Sequence, residues 1–202
     1  AKGGAGEALK NLELSVRACR AGVKRSQVIS YVEDGALLTE LFTRDGIGTL
    51  ITKELVEQIR PATIKDIGGI MDLIQPLEQQ GILVHRSREK LEAEISHFFV
   101  IQREGMIIAC AALFIHDNHT AELACVATRD EYRNNKYGQA VFEHIEQKAL
   151  EQGVKKLFVL TTKSPHWFVE KGFAEGSVDS LPLEKKSLYN YQRNSKVLEK
   201  TL

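Results

Sequence analysis

"CVATRDEYRNNKYGQAVFEHI", residues 125–145, passes from a short apolar strand through the basic residues Arg133 and Lys136 to a lone glycine, Gly138, and then straight into helical periodicity. Strand, basic loop, glycine, helix is an arrangement suited to a pyrophosphate. A helix N-terminus presents unpaired backbone N–H groups and about half a positive charge. Glycine removes the side chain that would block close approach, and the two cations add charge-assisted donors. A lone glycine with two basic residues is weak evidence by itself, so its weight depends on the surrounding chain.

Composition sets limits on that chain. It has 202 residues, with 27 Lys and Arg against 27 Asp and Glu. No global field therefore favours nucleic acid or an anionic membrane, and any anion must be bound locally. No apolar run approaches the ~20 residues of a membrane span, and AKGGAGEALKNLEL lacks a signal-peptide core, so the sequence reads as cytoplasmic. Cys19, Cys110 and Cys125 are odd in number and set among apolar neighbours, which argues for reduced core thiols rather than disulfides or zinc.

Two segments meet near residue 55. In the first, Leu9, Leu12, Val16 and Cys19 mark one face of a helix ended by Gly22. "SQVISYV" reads as a strand, and "EDGALLTELFTRDGIGTLI" as a turn, a short helix and a glycine-rich loop around Gly46 and Gly48. That loop is a surface turn or a ligand cradle. The segment is too small to hold a core alone and reads as the tail of a larger domain.

From "IRPATIKDIGGIMDLIQPLEQQG" onward the pattern is richer. A strand leads to a helix with Thr63 as N-cap and Asp66 at N3, a stripe of Ile67, Ile70, Met71, Ile74 and Leu77, and Gly81 at its end. "SREKLEAEI" is a second helix capped by Ser87. Three strands follow, "HFFVIQRE", "MIIACAALFIH" and "TAELACVAT", an antiparallel meander turning at Glu104-Gly105 and Asp117-Asn118. "GQAVFEHIEQKALEQG" is a helix with Ala140, Val141, Ile145, Ala149 and Leu150 inward. "KKLFVLTT", a short helix "PHWFVEKG", and a strand pair around Phe173 and "SKVLEKTL" complete the chain.

This order of elements resembles the GNAT superfamily of acetyl-CoA-dependent N-acetyltransferases. Its pyrophosphate motif is Arg or Gln, two residues, Gly, one residue, Gly or Ala. Here Arg133 and Gly138 fit, while Lys136 replaces the first glycine and predicts a somewhat different backbone shape. More specifically, "GILVHRSREKLE", "ACVAT", "KLFVLTTKSPHWFVEKGF" and "LYNYQRNSKVL" are together similar to the acetyltransferase half of bacterial N-acetylglutamate synthases.

The resemblance implies an α+β GNAT fold, three-layered α/β/α with a mixed, mostly antiparallel sheet, over residues 56–202. It reads residues 1–55 as the C-terminal remnant of an amino-acid-kinase-like domain. It implies acetyl transfer from acetyl-CoA to the α-amine of L-glutamate, the first step of arginine biosynthesis, with no metal. A homo-oligomer, or association with a kinase-like domain, is left open. The rival readings are an acetyltransferase for another small amine and a non-catalytic acyl-CoA-binding module.

An α-amine is protonated at neutral pH and only its lone pair attacks a thioester, so a base is required. Glu122, an acid in the apolar strand "AELACVA", is out of place there, and burial would raise its pKa toward a base's working range. The resemblance assigns it that role, acting through water; the bland alternative is an edge-strand glutamate facing solvent. It also implies a backbone N–H at Val126 for the oxyanion, Thr161 as proton donor to the departing thiolate where many relatives place a tyrosine (here Phe168), and a cofactor loop of Arg133, Asn134, Lys136, Gly138 and Gln139. For glutamate it implies Arg86, Cys125, Arg193 and Ser195, with Ser195 on the same strand face as Arg193. Two carboxylates need cationic forks at separate places, and guanidinium suits them. Arg88 reads as a surface residue, Trp167 and Phe168 as core, and His116 and His119 as solvated rather than metal-ligating.

Overall fold

The structure is a computed structural model that describes residues 4–43, 46–53, 57–103, 105–116 and 119–202. The chain divides into two units, Ala1–Val56 and Glu57–Leu202.

The first unit comprises α1 (Gly4–Arg20), β1 (Arg25–Val28), α2 (Ala36–Phe42) and β2 (Thr49–Thr52), with β1 and β2 paired antiparallel. Of the predicted stripe on α1 only Cys19 is buried, its thiol donating to the Ile51 carbonyl. The strand β2 falls where the sequence reads as a glycine-rich loop, because four residues carry too little alternation to show. The loop around Gly46 and Gly48 closes on the chain itself: Ile47 and Gly48 donate their N–H groups to Glu40 Oε2, at 2.8 and 2.7 Å. An internal carboxylate thus fills that cradle. α2 leaves Leu37, Leu38, Leu41 and Phe42 exposed.

The second unit is built on a seven-stranded sheet. Its strands are β3 (Glu57–Pro61), β4 (Phe98–Arg103), β5 (Met106–His116), β6 (Thr120–Thr128), β7 (Lys156–Thr161), β8 (Ala174–Glu175) and β9 (Lys196–Thr201), in the order β3-β4-β5-β6-β7-β9-β8. The β6–β7 pair is parallel and the other pairs are antiparallel. The expected meander is β4–β5–β6; Glu104, Asp117 and Asn118 of its turns lie outside the described residues.

Helices cover both faces. α5 (Tyr137–Glu151) sets Val141, Phe142, Ile145 and Ala149 against Ala109, Ala111, Leu123 and Leu157. α3 (Ile67–Gln79) and α4 (Arg88–Glu94) set Ile70, Leu73, Ile74 and Leu91 against Val100, Cys110 and Ala112 on the other face. Both faces of the meander are therefore dry, which is why β5 reads as an unbroken apolar run rather than an alternating one. The stripe on α5 is corrected at one position: Leu150 is 48% exposed and Phe142 is buried instead.

Local signals explain how these helices begin. Thr63 and Asp66 form the expected capping box on the 3-10 turn Ile64–Asp66 that leads into α3. Asp66 also takes a bidentate fork from Arg60 at 2.8 Å on both oxygens, and this guanidinium holds its carboxyl well below the usual carboxylate range. Ser87 Oγ accepts from the Lys90 N–H at 3.3 Å and caps α4. The short helix α6 (Pro165–Glu170) starts with Pro165, and Trp167 and Phe168 pack edge-on against each other and the core, as read from sequence. A further short helix, α7 (Leu183–Ser187), carries no signal in the sequence, being too short to show a helical period.

Candidate active site

The sheet opens where β6 and β7 part. Their pairing covers Thr120 to Glu122 against Lys156 to Phe158 and then ceases, although β6 runs on to Thr128 and β7 to Thr161. Beyond that point β6 is irregular. Cys125 has φ 53°, and the register against β5 shifts between Cys110 and Ala112, so Cys125 and Val126 oppose the single residue Ala111. This is a β-bulge, a device that re-aims the strand beside it. Val126 is the second residue of the bulge, in the splayed stretch, half-buried against the α5 side of the core. Sequence offers no warning of the bulge, since it stands at a cysteine and not at a glycine.

Glu122 is the last paired residue before the splay and is only 7% exposed. Its in-register neighbours are Phe114 on β5 and Phe158 on β7, so it lies inside the sheet and the solvent-facing edge reading is wrong. Lys185, from α7, places Nζ 2.6 Å from Oε2. That contact falls outside hydrogen-bond geometry and acts as a close ion pair.

On the same side of the sheet, the start of α4 and the turn before β9 bring two guanidiniums together. Arg86 is 12% exposed at its side chain; Nε lies 3.3 Å from Glu94 Oε2 and its backbone N–H donates to Glu78 Oε1 at 3.0 Å. Arg193 donates to the Ile82 carbonyl at 2.6 Å. Burial first, and the positive charge of Arg86 second, lower the pKa of Arg193. The same Arg86 charge helps lower that of Cys125, after the hydrogen bond from Cys110. Two adjacent like charges with few carboxylates to share favour an anion between them.

Ser195 is buried, and its carbonyl accepts from the Tyr189 hydroxyl at 2.5 Å. The expected strand geometry for this pair is corrected. Arg193 sits in a turn whose N–H groups of Gln192 and Arg193 are held by Asn190 Oδ1, Asn194 is left-handed, and β9 begins only at Lys196. Arg88 pairs with Glu92 on the surface, as expected.

The loop expected to take the cofactor is of another kind. Asp130–Asn135 form a 3-10 turn, Lys136 stands at φ 61°, and α5 starts with no side chain capping it. Lys136 itself therefore adopts the left-handed conformation that favours glycine, and the expected change of backbone shape gives way to strain at a lysine. A Cβ at Gly138 would meet Thr128 Oγ1 at 3.3 Å. Close packing onto the end of β6 thus explains the glycine as well as ligand approach does. Arg133 is exposed and paired with Asp130 at 2.8 Å, and Gln139 donates to Glu143 at 2.7 Å. The side chain of Asn134 lies outside the described residues. Thr161 is buried and its hydroxyl donates to the Lys163 carbonyl.

His116 is not solvated: its ring is 5.8 Å from that of Phe158 and its side chain is mostly buried at the end of β5, whereas His119 is exposed. Among the described residues no group of three His, Cys, Asp or Glu is placed to hold a metal ion, and no helix is long and apolar enough to cross a membrane.

Known proteins resemble this arrangement. The model of the acetyltransferase (GNAT) family matches residues 68–173. Amino-acid acetyltransferases of Pseudomonas fluorescens Pf-5 and Pseudomonas aeruginosa LESB58 are 59% and 57% identical to the chain, each over 95% of it and 44% of their own length. The chain thus spans less than half the length of these relatives. N-acetylglutamate synthase of Neisseria gonorrhoeae, complexed with coenzyme A and L-arginine, superposes with a TM-score of 0.87 at 40% identity, over all of this chain and 46% of the other. The same enzyme complexed with coenzyme A and N-acetyl-glutamate gives 0.71 at 41% identity, covering 48% of that chain.

Proposed function

The chain belongs to the GNAT acetyltransferase family, and from that membership we propose that it transfers the acetyl group of acetyl-CoA to the α-amine of L-glutamate, giving N-acetyl-L-glutamate and coenzyme A. The observation that carries this choice of acceptor is the pair of half-buried guanidiniums, Arg86 and Arg193, on the Glu122 side of the sheet. An amine with no carboxylate has no use for them. A dicarboxylic amino acid has two groups to offer, and Ser195 adds a further polar position beside Arg193.

Acetyl-CoA supplies the activated acyl group. The N-terminus of α5, with Arg133, Asn134, Lys136, Gly138 and Gln139, takes its pyrophosphate. Glu122 receives the amine proton, directly or through water. The freed lone pair forms the C–N bond, and the Val126 N–H steadies the oxyanion. Collapse of the intermediate breaks the C–S bond and releases thiolate, and the second proton that the nitrogen sheds on becoming an amide passes to solvent water or to the departing sulfur. Thr161 can protonate it only by surrendering its bond to the Lys163 carbonyl, and coenzyme A thiolate is a good enough leaving group to depart without that help. Cys125, buried and turned into the bulge, lines the acceptor side and is not a nucleophile.

Residues 1–55 are, on this reading, the end of an amino-acid-kinase-like domain, and the chain works as a homo-oligomer or in association with a kinase-like domain. The setting is cytoplasmic, in arginine biosynthesis. The test is release of free coenzyme A with L-glutamate and a panel of amines. Glutamate should exceed glutamine and simple amines by at least tenfold in kcat/KM, and equal rates across the panel would favour the broader amine acetyltransferase.

A further inference from the structure

We propose that Lys185 is a positioning residue for Glu122, fixing the charge and orientation of the base from outside the sheet. The inference rests on the reading of Glu122 as the base. Glu122 has aromatic in-register neighbours on both adjacent strands, Phe114 and Phe158, so neither of the residues directly beside it offers a cation. Lys185 supplies one at Oε2, 2.6 Å away. One carboxylate oxygen is thereby committed, and the other stays available to an amine or a water. This is the logic of a base oriented by a third group.

The position of Lys185 is itself fixed. Its ammonium lies 5.7 Å from the Phe114 ring centroid, a cation–π contact, and it is 29% exposed at its side chain. α7 also belongs to the segment that carries the acceptor-side arginine: Tyr189, just after the helix, packs with Phe158 and bonds the Ser195 carbonyl. The base and the carboxylate fork are therefore covered by one strap.

Other ionisable groups on this side have partners of their own. His116 on β5 lies 4.0 Å from Glu184, His97 stacks on Phe114 at 4.8 Å, and Lys156 on β7 pairs with Glu199 on β9 at 3.1 Å. Lys185 is the cation that reaches Glu122 among the described residues.

The experiment is the pH profile of kcat/KM for glutamate in Lys185→Met, Lys185→Arg and Lys185→Gln, each also in a Glu122→Gln background, with acetyl-CoA affinity by titration calorimetry. Lys185→Met and Lys185→Gln should lose about tenfold or more in kcat/KM at neutral pH, with the acid limb moved to higher pH and the loss shrinking in alkali. Lys185→Arg should recover most of the rate, acetyl-CoA affinity should stay unchanged, and no further loss should follow once Glu122 is glutamine. A wild-type profile in Lys185→Met and Lys185→Gln, a uniform loss at every pH, or an equal loss in the Glu122→Gln background would overturn the proposal. If Glu122→Gln alone keeps near-normal turnover, the reading of Glu122 as base has failed, and this proposal with it.

Discussion

On the proposed acceptor side, Arg86, Glu122 and Arg193 come from separate segments and are buried or half-buried, each against a defined partner. In the proposed cofactor loop, Arg133, Lys136 and Gly138 lie within one turn and the start of one helix, and Arg133 is solvent-exposed with an exposed aspartate for company. The difference is one of dielectric as much as of sequence distance. A charge held among apolar neighbours is poorly screened and geometrically fixed, so its removal is costly. An exposed charge is screened by salt and can be replaced by its neighbours.

The sharpest way to break this contrast is at Glu122. Glu122→Gln should lower turnover about 100-fold or more while leaving acetyl-CoA affinity intact, with partial recovery at high pH where free amine is abundant. Steady-state kinetics beside calorimetry separates the two; near-normal turnover at neutral pH would put the base elsewhere.

A second test concerns the buried fork at the start of α3. Arg60 lowers the pKa of Asp66, so the unfolded chain binds that proton more readily than the folded one. Stability from this pair is fully present above the ordinary carboxylate range and is lost as pH falls through and below it. Asp66→Asn should cost about 1.5–3 kcal/mol at pH 7, because a charge-assisted fork is lost, and should flatten the decline of thermal stability between pH 5 and pH 3. Melting curves over that range check it, and an unchanged slope would show that the fork contributes nothing.

The smallest effects belong to the loop. Arg133→Ala should weaken acetyl-CoA binding by about tenfold or less at low salt, with the difference fading as ionic strength rises. Lys136→Gly should lose a similar charge yet relieve a left-handed lysine, so its melting temperature should hold or rise while affinity falls. Calorimetry at two salt concentrations and a melting curve suffice. Equal affinities throughout would remove the pyrophosphate assignment.

The same contrast explains what the sequence could reveal. The loop was legible because its residues are adjacent, and the helices were legible where caps and stripes coincide, as at Thr63, Asp66 and Ser87. Arg86 and Arg193 could be named only through family resemblance, since no spacing links residues that meet through the fold. Lys185 gave no signal at all: a five-residue helix has no full period to read, and its importance comes from standing over Glu122. The bulge at Cys125 and the left-handed Lys136 were hidden for the opposite reason, because residues that seldom take positive φ occupy places where glycine would have announced it.

The most direct measurement is the ratio of kcat/KM for glutamate to that for glutamine in the wild type, Arg86→Ala and Arg193→Ala. Removing a paired guanidinium should cost about 2–3 kcal/mol, roughly 30- to 150-fold in kcat/KM for glutamate, with acetyl-CoA affinity hardly changed. At least one variant should lose most of the preference for glutamate. If both keep the wild-type ratio, the two arginines do not form a dicarboxylate pocket, and glutamate is not the acceptor they select.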